Sequence, residues 1–95
     1  MKRYEIMFIL NPDLNESEIN SEMEKIKNSV SKRDGRADEF SVWGRRQLAY
    51  PVKKFQEGIY LLGYFELSET VPQELSGEWK LSANILRFLI LKKEK

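Results

Sequence analysis

Two runs of the chain are apolar at both parities of a strand. In residues 59–67, Ile59, Leu61, Phe65 and Leu67 fall on one face and Tyr60, Leu62 and Tyr64 on the other. In residues 2–10, Tyr4, Ile6, Phe8 and Leu10 share one parity, while Met7 and Ile9 make the other partly apolar. Side chains alternate across a strand, so neither run offers a face made for water. Both are therefore predicted at the centre of a sheet. Two central strands need two flanking ones, and the chain has two further stretches to supply them.

One is Ile85 to Leu91, ahead of a basic tail. The other is Phe40 to Tyr50, where Phe40, Val42, Leu48 and Tyr50 suit one buried face, with Trp43, Arg45 and Gln47 on the other. Gly44 inside that run suggests a bulge, at which the parity changes. Pro51 cannot donate to a ladder, so the strand is an edge or ends at Tyr50. Phe55-Gln56-Glu57-Gly58 then reads as a hairpin loop.

Two helical patterns separate the strands. Asn11-Pro12-Asp13 stops the first strand, and Asn15 with Glu18 forms an Asn variant of the capping box. Leu14 and Ile19 occupy the positions of a hydrophobic staple. Ile19, Met23, Ile26 and Val30 follow at helical spacing and predict one core-facing stripe. Acids crowd the first turns, Lys25, Lys27, Lys32 and Arg33 fill the last, and Gly35 is the expected stop. The acidic face should be solvated. A second helix, capped by Ser68 or Thr70 with Pro72 early in it, carries Val71, Leu75 and Trp79 as its stripe. Gly77 weakens it, and Ser82-Ala83-Asn84 ends it.

The predicted order is β-α-β-β-α-β, with strands at about 2–10, 37–50, 58–67 and 85–92 and helices at about 16–33 and 71–81. Two right-handed crossovers fold that order into an α+β ferredoxin-like plait over residues 1–95. Strands one and three lie inside the antiparallel sheet, and two and four at its edges. Both helices cover one face, so side chains on the other must be tolerated by water or covered by a partner.

At 41% hydrophobic and 33% charged, the chain is globular, and no apolar run reaches the length of a membrane span. The first ten residues do not resemble a signal or transit peptide. Without cysteine there is no disulfide framework or thiolate metal site, which fits a cytosol-like compartment. There is also no histidine, no glycine-rich phosphate loop and no nucleophile motif, so enzymatic readings fare poorly and no cofactor is expected. Net charge is only +1, but the cations are grouped: Lys2-Arg3, Lys32-Arg33 with Arg36, Arg45-Arg46, Lys53-Lys54, and Lys92-Lys93 with Lys95. Where those groups meet in space, rather than their sum, sets the field.

The segment Gly44-Arg45-Arg46-Gln47-Leu48-Ala49-Tyr50-Pro51-Val52-Lys53-Lys54 closely resembles the signature of the bacterial small-subunit ribosomal protein six family. Arg3-Tyr4-Glu5-Ile6, the Asn11-Pro12 stop and Ile85-Leu86-Arg87-Phe88-Leu89 resemble that family's first strand, turn and last strand. The short, lysine-rich C-terminus departs from members with longer tails. The resemblance implies a ferredoxin-like, non-enzymatic protein of the cytoplasmic ribosome. It implies binding to the central domain of small-subunit ribosomal RNA, and a heterodimer with ribosomal protein eighteen. A competing reading is a small interaction or regulatory domain that self-associates through its open sheet face.

The candidate RNA contacts are Lys2, Arg3, Arg45, Arg46, Lys53, Lys54, Arg87, Lys92 and Lys93, the exposed cationic groups of the predicted fold. The candidate protein-partner surface is Trp43, Arg45, Tyr50, Tyr60 and Tyr64, because tryptophan and arginine are enriched at interface hot spots. Each has a plainer alternative. Basic residues on an edge strand also block aggregation, Trp43 can pack over its strand neighbours, and basic strand ends are often simply solvated. Tyr60 and Tyr64 could form a base-stacking platform, but no RNP-like pattern accompanies them.

Overall fold

The computed structural model describes residues 1–93; Lys95, grouped above with the terminal lysines, lies outside them. The elements run β1 (Lys2–Leu10), α1 (Glu16–Ser31), β2 (Arg36–Val52), β3 (Phe55–Leu67), α2 (Val71–Trp79) and β4 (Ile85–Lys93). The sheet order is β2-β3-β1-β4, all antiparallel, so the two doubly apolar runs are the two inner strands. β1 pairs with β3 without interruption, from Lys2 opposite Leu67 to Leu10 opposite Ile59. This is the ferredoxin-like plait that the element order predicts.

The core lies between the helices and one sheet face. Tyr4, Ile6, Phe8 and Leu10 from β1 and Ile59, Leu61, Phe65 and Leu67 from β3 are buried there. α1 adds Met23, Ile26 and Val30, and α2 adds Val71, Leu75 and Trp79. Phe8 is at the centre. Its ring centroid is 4.8 Å from that of Trp79, 5.7 Å from Phe40 and 6.5 Å from Phe65. The Trp79 ring reaches on to Phe88 at 5.6 Å, so aromatic contact spans the sheet from β2 to β4. Tilted and edge-on rings at these distances contribute roughly 0.5–1.5 kcal/mol per pair beyond their buried area.

Asn15 caps α1 as expected: its side chain accepts from the Glu18 amide at 2.8 Å, and the Glu18 carboxylate accepts from the Asn15 amide at 2.9 Å. The last turn of α1, however, carries no base. Lys25 and Lys27 pair with Glu22 and Glu24, and Arg33 reaches across to Glu74 and Glu78 of α2 at 3.2 and 3.1 Å. The acidic face is not wholly solvated either. Glu22 is buried, because Asn84, just ahead of β4, donates to its carboxylate at 3.0 Å. The left-handed residue after α1 is Asp34, at φ +60°, rather than Gly35. Thr70 precedes α2 but makes no side-chain cap bond, and Leu81 lies beyond the helix, exposed.

β2 departs most from a regular strand. Asp38 pairs with Tyr64 and Ser41 with Leu62, leaving Glu39 and Phe40 opposite Gly63 alone. Glu39 takes φ +45° at this bulge, and the Phe40 ring swings over Gly63 into the core. A Cβ on Gly63 would stand 2.8 Å from that ring, so the glycine makes room for it. A second bulge follows, with Val42 opposite Leu61 and Gly44, at φ +115°, opposite Tyr60. Trp43 is the extra residue, and the parity reverses across it.

The reversal overturns the single buried face predicted for Phe40, Val42, Leu48 and Tyr50. Phe40 packs on the core, Val42 and Tyr50 are exposed, and Leu48 is half-buried on the helix-free side. The hairpin turn is also displaced from the predicted 55–58. Val52 pairs with Phe55 across Lys53-Lys54, both left-handed at φ +50° and +72°. Pro51 lies in a stretch, 48–51, with no ladder partner on the edge strand, so its missing N–H leaves no gap.

Trp79 is 3% exposed and touches both Phe8 and Phe88. Trp79→Ala is expected to lose about 3–5 kcal/mol in urea unfolding. A loss below about 1 kcal/mol would mean that the aromatic contact across the sheet contributes little.

Candidate nucleic-acid and partner surfaces

Folding divides the nine predicted RNA contacts between opposite ends of the sheet. β1 runs from one end to the other over nine residues, which is roughly 30 Å. At its start Lys2, Arg3, Lys92 and Lys93 gather, since Arg3 pairs with Lys93 and Tyr4 with Lys92 across β1 and β4. At the far end are Arg45, Arg46, Lys53 and Lys54 of the β2–β3 hairpin, with Arg87 near the start of β4. The nine therefore form two separate cationic groups rather than one continuous patch.

The two groups also differ electrostatically. At the first end Arg3 is 3.3 Å from Asp38, Lys92 is 3.2 Å from Glu69 and Lys93 is 2.9 Å from Glu5. The Arg3 guanidinium also lies 4.9 Å from the Tyr64 ring centroid. Hydrogen bonding to Lys93 holds the Glu5 carboxyl below the usual carboxylate range; burial opposes this, and the Tyr64 hydroxyl adds to it. Lys93 is correspondingly pushed up by its bond to Glu5. Much of the positive charge at this end is answered by carboxylates. At the hairpin end, Arg46, Lys53 and Lys54 are exposed, and no carboxylate pairs with them among the described residues.

Arg45 and Arg46 project to opposite faces. Arg45 lies on the helix side, where its guanidinium donates to the Pro12 carbonyl beside the start of α1 and sits 3.9 Å from Glu57. Arg46 is opposite Gly58 and, as the next residue of a regular pair, faces the helix-free side. The sequence placed Trp43 and Arg45 on one face; the bulge at Trp43 separates them. Trp43 is 57% exposed. Tyr60 and Tyr64 are half-buried on the open face, Tyr64 donating to Glu5 at 3.2 Å.

Tyr50 belongs to a different arrangement. β1 contributes nothing beyond Leu10, opposite Ile59, so the hairpin past that point has no third strand. Its 48–52 arm folds against the open face, where Leu48, Tyr50 and Val52 meet Met7, Ile9, Tyr60 and Leu89 around a cleft of about 240 Å³. Arg87 closes one side, donating to the Tyr50 hydroxyl at 2.7 Å. Sequence reasoning missed this cleft because it arises where β2 loses its regular ladder, and no local pattern marks that fold-back.

These features define a small α+β plait with one open sheet face and a cationic hairpin. Among the described residues there is no cluster of acids able to hold a metal ion and no helix long and apolar enough to cross a membrane. Residues 3–92 match the family Ribosomal protein S6, and the chain belongs to that family. The small ribosomal subunit protein bS6 of Clostridium acetobutylicum is 41% identical over 95 residues, covering the whole of both chains. That of Caldanaerobacter subterraneus subsp. tengcongensis is 41% identical over 92 residues, 97% of each. The crystal structure of 30S ribosomal protein S6 from Thermotoga maritima superposes with a TM-score of 0.89 at 32% identity, covering 97% of this chain and 87% of that one. The family is structural rather than enzymatic.

The Glu5–Lys93 pair sets a pH expectation. A depressed carboxyl contributes stability that is present above its unfolded pKa, about 4.3, and is lost as pH falls through the folded value. The drop in unfolding free energy between pH 7 and pH 3 should therefore be smaller in Glu5→Gln than in the wild type. An equal drop in both would show that the pair contributes no pH-dependent stability.

Proposed function

We propose that this chain is a structural component of the small ribosomal subunit, as the name of its bS6 relatives says of them, and so works in the cytoplasm. It holds the central domain of the small-subunit RNA through the hairpin end, with Arg46, Lys53 and Lys54 as the principal phosphate contacts. The observation that carries this assignment is the turn itself. Two consecutive lysines occupy the left-handed positions of a two-residue hairpin. A turn of this type favours Asn-Gly, and each ordinary residue held left-handed costs roughly 1–2 kcal/mol. Stability alone gives no reason to keep lysines there. An exposed cation pair at the tip suits a phosphate backbone.

Ribosomal protein eighteen, the partner implied by the resemblance, meets Trp43 and the open sheet beyond the hairpin cleft, around Tyr64 and Leu91. Leu89 and Leu91 are exposed on the β4 side of that face, and Trp43 is the largest exposed apolar side chain of β2. Exposed aromatic and aliphatic area of this kind is what an interface core uses. Arg3, Lys92 and Lys93, already paired with carboxylates, serve as secondary RNA contacts, and Lys2 lies beside them.

The double variant Lys53→Asn with Lys54→Gly separates stability from binding. It is expected to raise unfolding free energy by about 1–2 kcal/mol. It should also weaken binding to a central-domain RNA fragment and flatten the log–log salt slope by roughly one to two units. An unchanged slope would remove the hairpin tip from the RNA surface.

Trp43→Ala addresses the partner. Isothermal titration with ribosomal protein eighteen, without RNA, should show a loss of about 2 kcal/mol or more. The stability of the isolated domain should change by less than about 1 kcal/mol, since the indole is mostly exposed. Equal affinity of variant and wild type would make Trp43 a strand-packing aromatic only.

A further inference from the structure

We propose that the cleft beneath the 48–52 arm captures a single unstacked base of the RNA strand whose phosphates the hairpin holds. This rests on the reading of the hairpin as an RNA surface, and it adds a base contact to what would otherwise be charge alone. The cleft's volume, about 240 Å³, lies below the roughly 300–1,000 Å³ of pockets for drug-sized ligands. It has room for one flat ring or one side chain.

Its chemistry selects between these. Tyr50 and Leu48 of the arm line it from one side, and Tyr60 with the apolar Met7 and Ile9 from the sheet. Among the described residues, Arg87 is the sole charged residue lining it, and no acid does so. A guanidinium is a planar donor fork suited to the carbonyl and ring-nitrogen acceptors of a base edge, and aromatic rings stack on any base face. An aliphatic side chain from a protein would have no use for the fork. Immediately past Val52, which lines the cleft, come Lys53 and Lys54, exposed and without a carboxylate partner among the described residues. A polyanionic strand drawn to that tip would pass the cleft mouth, so the occupant that satisfies ring, fork and lysines together is a nucleotide of a single-stranded segment.

The cleft is held ready. Arg87 donates to the Tyr50 hydroxyl at 2.7 Å, and its guanidinium carbon is 5.9 Å from the Tyr50 ring centroid. That contact ties the arm to β4 and leaves the tyrosine, 58% exposed, at the opening. Tyr50 is thus a stacking surface, and Arg87 both orients it and offers the remaining donors to the base.

Fluorescence anisotropy with two labelled ten-nucleotide strands of equal charge tests this: an oligouridylate, and a ribose-phosphate strand lacking bases. The wild type is expected to bind the oligouridylate about tenfold more tightly. Tyr50→Ala should bring the oligouridylate down to the level of the abasic strand, while Tyr50→Phe, which keeps the ring, should retain most of the preference. Lys53→Gln with Lys54→Gln should weaken both strands alike. Equal binding of the two strands by the wild type would overturn the base pocket and leave the phosphate reading of the hairpin standing. Failure to bind either strand would remove both. A preference that survives Tyr50→Ala would put the base elsewhere and sink the proposal. So would a Tyr50→Ala variant that loses affinity only for the second protein, since the cleft would then be a protein pocket.

Discussion

Contact between the Phe8 ring and Phe40, Phe65 and Trp79 joins three of the four strands to the second helix. Phe8 is fully buried on the inner strand β1, and each partner comes from a different element. A close-packed interior transmits any change of volume at such a point, because its neighbours cannot all relax at once. The rest of the architecture serves that junction. Gly63 has no side chain because Phe40 must lie over it, and β2 bulges at Glu39 so that Phe40 can reach it. In a regular strand the residue opposite Gly63, on the core-facing parity, would be Glu39; the bulge brings Phe40 there instead.

The bulges have a second effect, on charge. The bulge at Trp43 reverses the parity set by Phe40 and Val42, so Arg45 falls on the helix side and Arg46 on the helix-free side. Arg45 becomes a structural tie to the Pro12 carbonyl, and Arg46 joins the helix-free side. At the other end of the sheet, pairing brings acids and bases together. Lys93 meets Glu5, and Arg3 meets Asp38 from a strand 35 residues on. The near-neutral composition therefore conceals an uneven surface, paired at one end and cationic at the hairpin.

The hairpin extends past the last residue of β1, where no third strand steadies it. It gains support instead by folding its 48–52 arm onto Met7 and Ile9, which leaves Ile9 buried on the face that the helices do not cover. Arg87 and Tyr50 complete the attachment. A basic tip on a short, anchored arm keeps its position better than a free loop.

Periodicity alone determined the elements, their order and the core stripes of the two inner strands and the helices. Apolar residues at both parities mark an inner strand wherever they occur, and the Asn15–Glu18 box and the 3.6-residue stripe are local devices that need no partner element. Gly44 even announced its bulge. What periodicity could not supply was everything that depends on a neighbour. The displaced turn at Lys53-Lys54, the bulge that brings in Phe40, and the burial of Glu22 beneath Asn84 each follow from another strand or loop. Among the candidate site residues, the tertiary structure decided which cations are answered by carboxylates and which stand free at the hairpin. It also moved Tyr50 away from the Trp43 surface and into a cleft. The reason is physical: hydrophobic pattern acts along the chain, whereas ion pairing and register act between segments that only folding brings within a few ångströms.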